Sequence, residues 1–142
     1  MTYVLGAKSR ANLAGVHPKL VAVVEAAIKR SAVDFKVIEG VRTPERQKAL
    51  YAQGRTKPGP VVTWTLNSNH FRNAKTGFGH AVDLLPAPYD WKDVKPFDRM
   101  AEAMFGAAKD LGVTLRWGAD WDRDGKARER GETDNPHFEI VL

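Results

Sequence analysis

The chain has 142 residues, of which 43% are hydrophobic and 27% charged, so its composition is that of a globular protein and excludes a disordered one. It contains no cysteine, which excludes disulfides, thiolate metal sites and cysteine nucleophiles, and no apolar run approaches the roughly 20 residues that cross a bilayer. The length favours one domain spanning residues 1–142, and the first residues lack a secretory-signal pattern. The net charge of +5 suits an anionic partner such as nucleic acid, cell wall or lipid headgroups, and it equally suits a role in solubility alone.

Hydrophobic spacing and turn residues predict three helices alternating with four strands. The helices are predicted at residues 17–33, 43–54 and 97–112, and the strands at 34–41, 79–85, 113–117 and 137–142. Thr43 is suited to cap the second helix, and Gly54 and Gly112 are suited to end helices in the left-handed conformation. Because the strands are short and mixed with helices, we predict an α+β fold with a small antiparallel sheet.

The segment SNHFRNAKTGFGHAVD holds two histidines and one aspartate, and it ends in the predicted strand GHAVDLL. Side chains alternate between the two faces of a strand, so His80 and Asp83 point to opposite faces and cannot easily bind one ion together. If Asp83 is a metal ligand, its histidine partner comes from elsewhere in the chain, and His70 is available.

The C-terminal segment DNPHFEIVL offers a further histidine and a further carboxylate. Two histidines and one carboxylate suit a zinc ion whose fourth position stays open to water, with His137 as the second histidine. A nearby carboxylate that does not bind the ion is then needed as proton acceptor, and Asp134 is the candidate. Scattered histidines and aspartates are more often surface groups, so spacing alone leaves both interpretations open.

The motifs SNH, GHAVD, WGADW and DNPHFE, in this order, resemble those of the zinc peptidases of the D-alanyl-D-alanine carboxypeptidase and VanY-like superfamily. Within it, the chain is most similar to the phage endolysins that are L-alanyl-D-glutamate endopeptidases. The upstream segment GVRTPERQKALYAQG also resembles an arginine-and-glutamine stretch of that family. The resemblance extends from about residue 17 to the C-terminus. It implies the zinc D-Ala-D-Ala carboxypeptidase-like (hedgehog/DD-peptidase) fold, in which helices flank a small antiparallel sheet.

The resemblance also implies the site residues. It places the three zinc ligands at His70, Asp83 and His137, and the catalytic base at Asp134. The chemistry that it implies is metal-assisted hydrolysis of an amide bond.

Three further positions carry roles implied by the resemblance. Arg42 falls on the arginine that faces the scissile carbonyl or a substrate carboxylate. Ser68 falls on a small polar residue near the substrate, and Trp117 falls on a residue of the wall of the site. Ser68 and Trp117 are therefore the candidate substrate-binding residues.

The spacing departs from the family at one place. The first histidine ligand of the family usually lies seven residues before the aspartate, whereas that position is Thr76 here and His70 lies six residues farther upstream. We interpret the difference as an insertion, FRNAKT, in a loop, where added length costs little closure entropy. The insertion makes His80 a rival ligand, although the alternation of side chains along the strand favours His70.

The acidic segment DWDRDG raises the question of a second ion. Asp120, Asp122 and Asp124 followed by glycine resemble the start of a calcium loop. The glutamate expected at the twelfth position is replaced by Gly131. We therefore favour a solvated acidic turn, with a Ca²⁺ site as the alternative.

The function expected from the resemblance is zinc-dependent hydrolysis of the L-alanyl-D-glutamate bond in peptidoglycan stem peptides by a phage or prophage endolysin. The alternatives are a D,D-carboxypeptidase and a non-catalytic cell-wall-binding module of the same fold. The expected partner is bacterial peptidoglycan, without nucleic-acid binding or membrane insertion, and a monomer is expected. The protein is expected in the host cytoplasm until lysis and then at the cell wall and in the periplasm.

Overall fold

A computed structural model of the chain describes residues 3–59, 70–87, 93–120, 123, 128 and 134–142. The elements in these residues are α1 (Ala7–Asn12), α2 (Pro18–Arg30), β1 (Asp34–Glu39), α3 (Pro44–Ala52), β2 (Ala81–Ala87), α4 (Lys95–Leu111), β3 (Thr114–Trp117) and β4 (His137–Val141). The three predicted helices and four predicted strands are present, with ends that differ by a few residues. The short helix α1 was not predicted.

The ends of the helices follow from local side-chain chemistry. Thr43 precedes α3, and its hydroxyl oxygen accepts a hydrogen bond from the backbone N–H of Arg46 at 3.1 Å, as expected for a cap. At the start of α2 the Nδ1 atom of His17 accepts from the N–H of Lys19, also at 3.1 Å. Gly112 ends α4 with φ of 69°, a left-handed conformation that glycine adopts without steric cost.

The four strands form one antiparallel sheet in the order β1-β2-β4-β3. Its register brings polar residues into line, because Asp83 of β2 lies opposite both Glu39 of β1 and His137 of β4. On the far side of β4, Glu139 lies opposite Arg116 of β3. Residues that lie opposite one another in an antiparallel pair share a face, so these five side chains belong to one face of the sheet.

The hydrophobic core lies on the other face of the sheet, which packs against α2 and α4. Phe138 alternates with the polar residues of β4, is fully buried, and stacks on Trp117 with the two rings 6.0 Å apart. Further core residues on the sheet and the helices are Leu20, Val24, Leu84, Phe97, Met100, Met104, Leu115 and Ile140. No helix of the described residues is both long enough and apolar enough to span a membrane.

Candidate metal centre and active site

Three potential ligands converge on the polar face of the sheet. His70, Asp83 and His137 each offer one ligand atom, and these atoms lie within 4.8 Å of one another. The Oδ1 atom of Asp83 is 3.4 Å from Nε2 of His70 and 3.2 Å from Nδ1 of His137. The sheet register sets one of these contacts, since Asp83 and His137 are direct partners on β2 and β4.

Each histidine is oriented by a partner behind its ring. The Nδ1–H group of His70 donates to the carbonyl oxygen of Gly40 at 2.8 Å, which leaves Nε2 facing Asp83. The Nε2 atom of His137 is 2.8 Å from Oε1 of Glu139, which leaves Nδ1 facing Asp83. Histidines that bind metals are held in this way, with the other ring nitrogen bonded to a carbonyl or a carboxylate.

The donor set fits a divalent metal ion. Two imidazole nitrogens and one carboxylate oxygen form the three-ligand set of catalytic zinc sites, in which a fourth position is left for water or substrate. His70 is 1% exposed, and its backbone oxygen accepts from the N–H of Arg42 at 2.8 Å, so this ligand is fixed through backbone as well as side chain. The residues present are therefore able to hold the ion.

The charges of the group are strongly coupled. Burial raises the pKa of Asp83, but hydrogen bonds with His137 and His70 outweigh it and hold that pKa well below its ordinary value. For His137, burial lowers the pKa, but the hydrogen bonds to Asp83 and Glu139 outweigh it and raise the pKa to about 10. Without a metal, His137 thus carries a proton between two carboxylates, and a cation binding at Nδ1 replaces that proton.

Asp134 lies beside this group without belonging to it. The segment is tied to the ligand strand, because the N–H of His137 donates to the backbone oxygen of Asp134 at 3.2 Å. The residue as a whole is exposed, yet desolvation of its carboxyl is the largest influence on its pKa and raises it. The positive charge of His137 lowers this pKa and the negative charge of Asp83 raises it further, with a net increase. A carboxylate with a raised pKa is suited to accept and return a proton.

Arg42 is held next to the ligands by two partners. Its Nε–H group donates to Oε1 of Glu39 at 3.1 Å, and its Nη1–H group donates to Oε1 of Gln47 at 2.8 Å. Its Nη2 atom is 3.6 Å from Oδ2 of Asp83. Gln47 is itself fully buried. The guanidinium is therefore fixed with its charge directed at the metal-ligand group.

His80, the rival ligand, lies outside the metal-ligand group. Its Nε2 atom is 2.8 Å from the hydroxyl oxygen of Thr76, and its ring is 5.7 Å from that of His17. The segment that we interpret as an insertion forms a compact turn, closed by the bond from the N–H of Asn73 to the oxygen of Phe78 at 2.8 Å. The strand-face argument thus selected the histidine that lies with Asp83.

Several predicted positions are not settled by the structure. Ser68 lies outside the described residues, as do Asp122 and Asp124, so the substrate and calcium roles of these residues stay predictions. Asp120 is buried beside β3, where its N–H donates to the oxygen of Trp117 at 2.9 Å. Trp117 is 6% exposed and its indole N–H donates to the backbone oxygen of Asn135 at 2.7 Å, next to Asp134, so its role in binding substrate also stays a prediction.

Three residues orient the side chains of the site, and this role was not predicted from the sequence for any of them. Glu39 and Gln47 hold Arg42, and Glu139 holds His137. Alternation along β4 places Glu139 on the same face as His137, which is the one signal in the sequence for its position. The position of Glu39 opposite Asp83 depends on the pairing of β1 with β2, which the sequence does not specify.

The fold and the site together are those of a class of peptidases. In this class the candidate active site contains three potential metal ligands. The family model described as phage L-alanyl-D-glutamate peptidase matches residues 1–141, and the chain belongs to that family. The family that the sequence motifs predict is therefore confirmed.

The names of individual relatives agree with the family that the model identifies. The chain is 31% identical to the L-alanyl-D-glutamate peptidase of Escherichia phage T5, over 99% of this chain and 100% of the phage protein. It is 26% identical to the peptidoglycan L-alanyl-D-glutamate endopeptidase CwlK of Bacillus subtilis, over 83% of this chain and 67% of CwlK. The crystal structure of the L-Ala D-Glu endopeptidase ChiX of Serratia marcescens is similar with a TM-score of 0.73 and 32% identity, covering 97% of this chain and 90% of ChiX. The predicted fold is confirmed by this similarity.

Proposed function

We propose that the protein is a zinc-dependent endopeptidase that cuts the L-alanyl-D-glutamate bond of peptidoglycan stem peptides, as a phage or prophage endolysin. The observation that carries the proposal is the convergence of His70, Asp83 and His137 within 4.8 Å, with the carboxylate of Asp134 alongside. The activities named for the three relatives support the choice of bond.

His70, Asp83 and His137 would hold the ion through Nε2, a carboxylate oxygen and Nδ1, respectively. A zinc ion in such a site lowers the pKa of a water molecule towards about 7 and polarises a carbonyl group. One carboxylate among the three ligands leaves a net positive charge at the centre. The proposed chemistry needs this charge, because the transition state of amide hydrolysis places negative charge on the former carbonyl oxygen.

The remaining steps fall to side chains that do not bind the ion. Asp134 accepts a proton from the attacking water and then returns it to the departing amine of the D-glutamate residue. The raised pKa of this carboxyl supports both transfers. Arg42 contributes a fixed positive charge beside Asp83, where it stabilises the developing oxyanion or a carboxylate of the substrate.

The same proposal covers the setting of the reaction. Residues 1–142 act as one catalytic domain, with Ser68 and Trp117 contacting the substrate. The protein stays in the host cytoplasm until lysis and then reaches the peptidoglycan. The net charge of +5 supports attraction to an anionic cell wall.

Digestion of purified peptidoglycan tests the proposal. We expect soluble products whose masses show a new D-glutamate amino terminus, and we expect no products after treatment with a chelator and recovery when zinc is restored. Release of free D-alanine would instead identify a D,D-carboxypeptidase. Binding to peptidoglycan without any released product would identify a non-catalytic module. Activity that survives complete removal of metal would refute the zinc assignment.

A further inference from the structure

β4 carries a second carboxylate directly behind one of the candidate ligands. Glu139 is 3% exposed, and its Oε1 atom lies 2.8 Å from Nε2 of His137. The other nitrogen of the same ring, Nδ1, lies 3.2 Å from Asp83. Both nitrogens of the His137 ring therefore have a carboxylate partner. Nδ1 is directed to Asp83 of the ligand group, and Nε2 is directed to Glu139.

The position of Glu139 is itself fixed by its neighbours across the sheet. Arg116 lies opposite it on β3, and Nη1 of Arg116 is 3.7 Å from the second carboxylate oxygen, Oε2. Ala81 lies opposite it on β2 and is fully buried. One oxygen of Glu139 thus faces a guanidinium and the other faces the imidazole of His137.

Burial of this carboxylate is not explained by folding alone. A carboxylate removed from water is costly unless partners compensate, and an apolar residue of similar volume fills a buried position at least as well. The contacts of Glu139 instead orient the ring of His137, because the hydrogen bond selects which nitrogen of that ring carries the proton. With Nε2 protonated, the lone pair of Nδ1 is available to a metal.

The two candidate histidine ligands differ in the partner that holds the second ring nitrogen. His70 donates to a neutral partner, the carbonyl oxygen of Gly40, whereas His137 is paired with a carboxylate. Hydrogen bonds to charged acceptors are roughly twice as strong as neutral ones. A carboxylate behind the ring also increases the basicity of the ligating nitrogen.

We propose that Glu139 is the positioning residue of His137, which fixes the orientation of the ring and thereby sets the affinity of the site for zinc. Arg116 restrains Glu139 in this role. The inference rests on the proposed function, since it takes the group of His70, Asp83 and His137 as the zinc site.

Zinc affinity, measured by competition with a chromogenic chelator, tests the inference on folded protein. Glu139→Ala removes the partner of His137, and we expect the dissociation constant for zinc to rise about 10- to 100-fold. Glu139→Gln keeps the volume and a neutral acceptor, so we expect a rise of about 3- to 10-fold, half the effect on a logarithmic scale. Glu25→Ala is the matched control, because Glu25 also forms an ion pair at 3.7 Å, with Arg10 at a distant surface.

Circular dichroism of the metal-free variants separates this role from a structural one. A merely structural role would lower the melting temperature of the metal-free protein and leave the zinc affinity of the folded fraction unchanged. If Glu139→Ala does not fold, Glu139→Gln decides the question. Wild-type zinc affinity in the folded variants overturns the inference alone, whereas wild-type protein that binds no zinc overturns the proposed function as well.

Discussion

Gly118 offers a way to displace the carboxylate of Asp134, the proposed catalytic base, without substituting Asp134 itself. A Cβ atom at this position would overlap the backbone oxygen of Asp134 and lie 2.8 Å from the Cβ atom of Asp134. The N–H of Gly118 also donates to the backbone oxygen of His137 at 2.8 Å, so the two segments are in direct contact. Gly118 is not among the glycines with positive φ, so alanine is acceptable to its backbone and the clash is the main effect.

The size of the displacement follows from these distances. Carbon atoms pack at about 3.5 Å or more, so relief of the contact between the two Cβ atoms requires a movement of about 0.7 Å, and the overlap with the oxygen requires more. Misplacement of a reacting group by about 1 Å costs on the order of 100-fold in rate. We therefore expect Gly118→Ala to lower kcat on peptidoglycan by about 100-fold while elemental analysis still finds zinc.

The assay is release of soluble stem peptides, measured at a temperature where circular dichroism shows the variant to be folded. Gly6→Ala is the control, since a Cβ atom at Gly6 would have no heavy atom of the described residues within 4 Å, and we expect this variant to retain full activity. A folded Gly118→Ala variant with wild-type kcat would refute the reasoning, because the contact with Asp134 would then have no effect on the position of the base.

Three further predictions concern the base, the ligands and the core. Asp134→Asn should lower kcat about 100- to 10,000-fold with zinc still bound, as determined by elemental analysis, and retained turnover would remove Asp134 from its role. Because the pKa of His137 is raised to about 10 in the metal-free protein, its stabilising contribution is complete below its unfolded pKa of about 6.5 and is lost as pH rises through about 10. Zinc must displace this proton, so its apparent affinity should increase about tenfold per pH unit below pH 10, and a flat profile in a chelator competition would contradict the assignment. Phe138→Ala should lower the free energy of unfolding by about 3–5 kcal/mol in urea denaturation, and a loss below about 1 kcal/mol would show that the ring is not packed as described.

The elements of the fold were largely predictable from local patterns. Helical spacing of apolar residues identified α2 and α4, and Thr43 marked the start of α3. The six-residue helix α1 gave no signal, because so short a segment has little periodicity to detect. The order β1-β2-β4-β3 depends on contacts between distant segments, which a single sequence does not specify.

The three side chains that lie together as candidate ligands could be named from the sequence, whereas the residues that surround them could not. Alternation of faces along β2 separated Asp83 from His80, and resemblance to the family supplied His70 and His137. The residues behind the candidate ligands were missed, because each gains its role from a neighbour whose own role has to be recognised first. Glu139 looks like an ordinary strand residue until His137 is recognised as a candidate ligand on the same face, and Gln47 looks like an ordinary helix residue until Arg42 is placed beside it.

The alternation along β4 has a consequence for how the enzyme can change. His137 and Glu139 belong to one surface of the strand while Phe138 and Ile140 belong to the other, so the proposed metal site and the hydrophobic core depend on interleaved positions of one short segment. Natural drift or directed evolution can therefore vary the proposed metal site by substitutions at odd-numbered positions of β4. Substitutions at even-numbered positions of β4 vary the thermal stability instead. A library that randomises the even-numbered positions alone should yield heat-resistant or heat-sensitive lysins with the same bond preference.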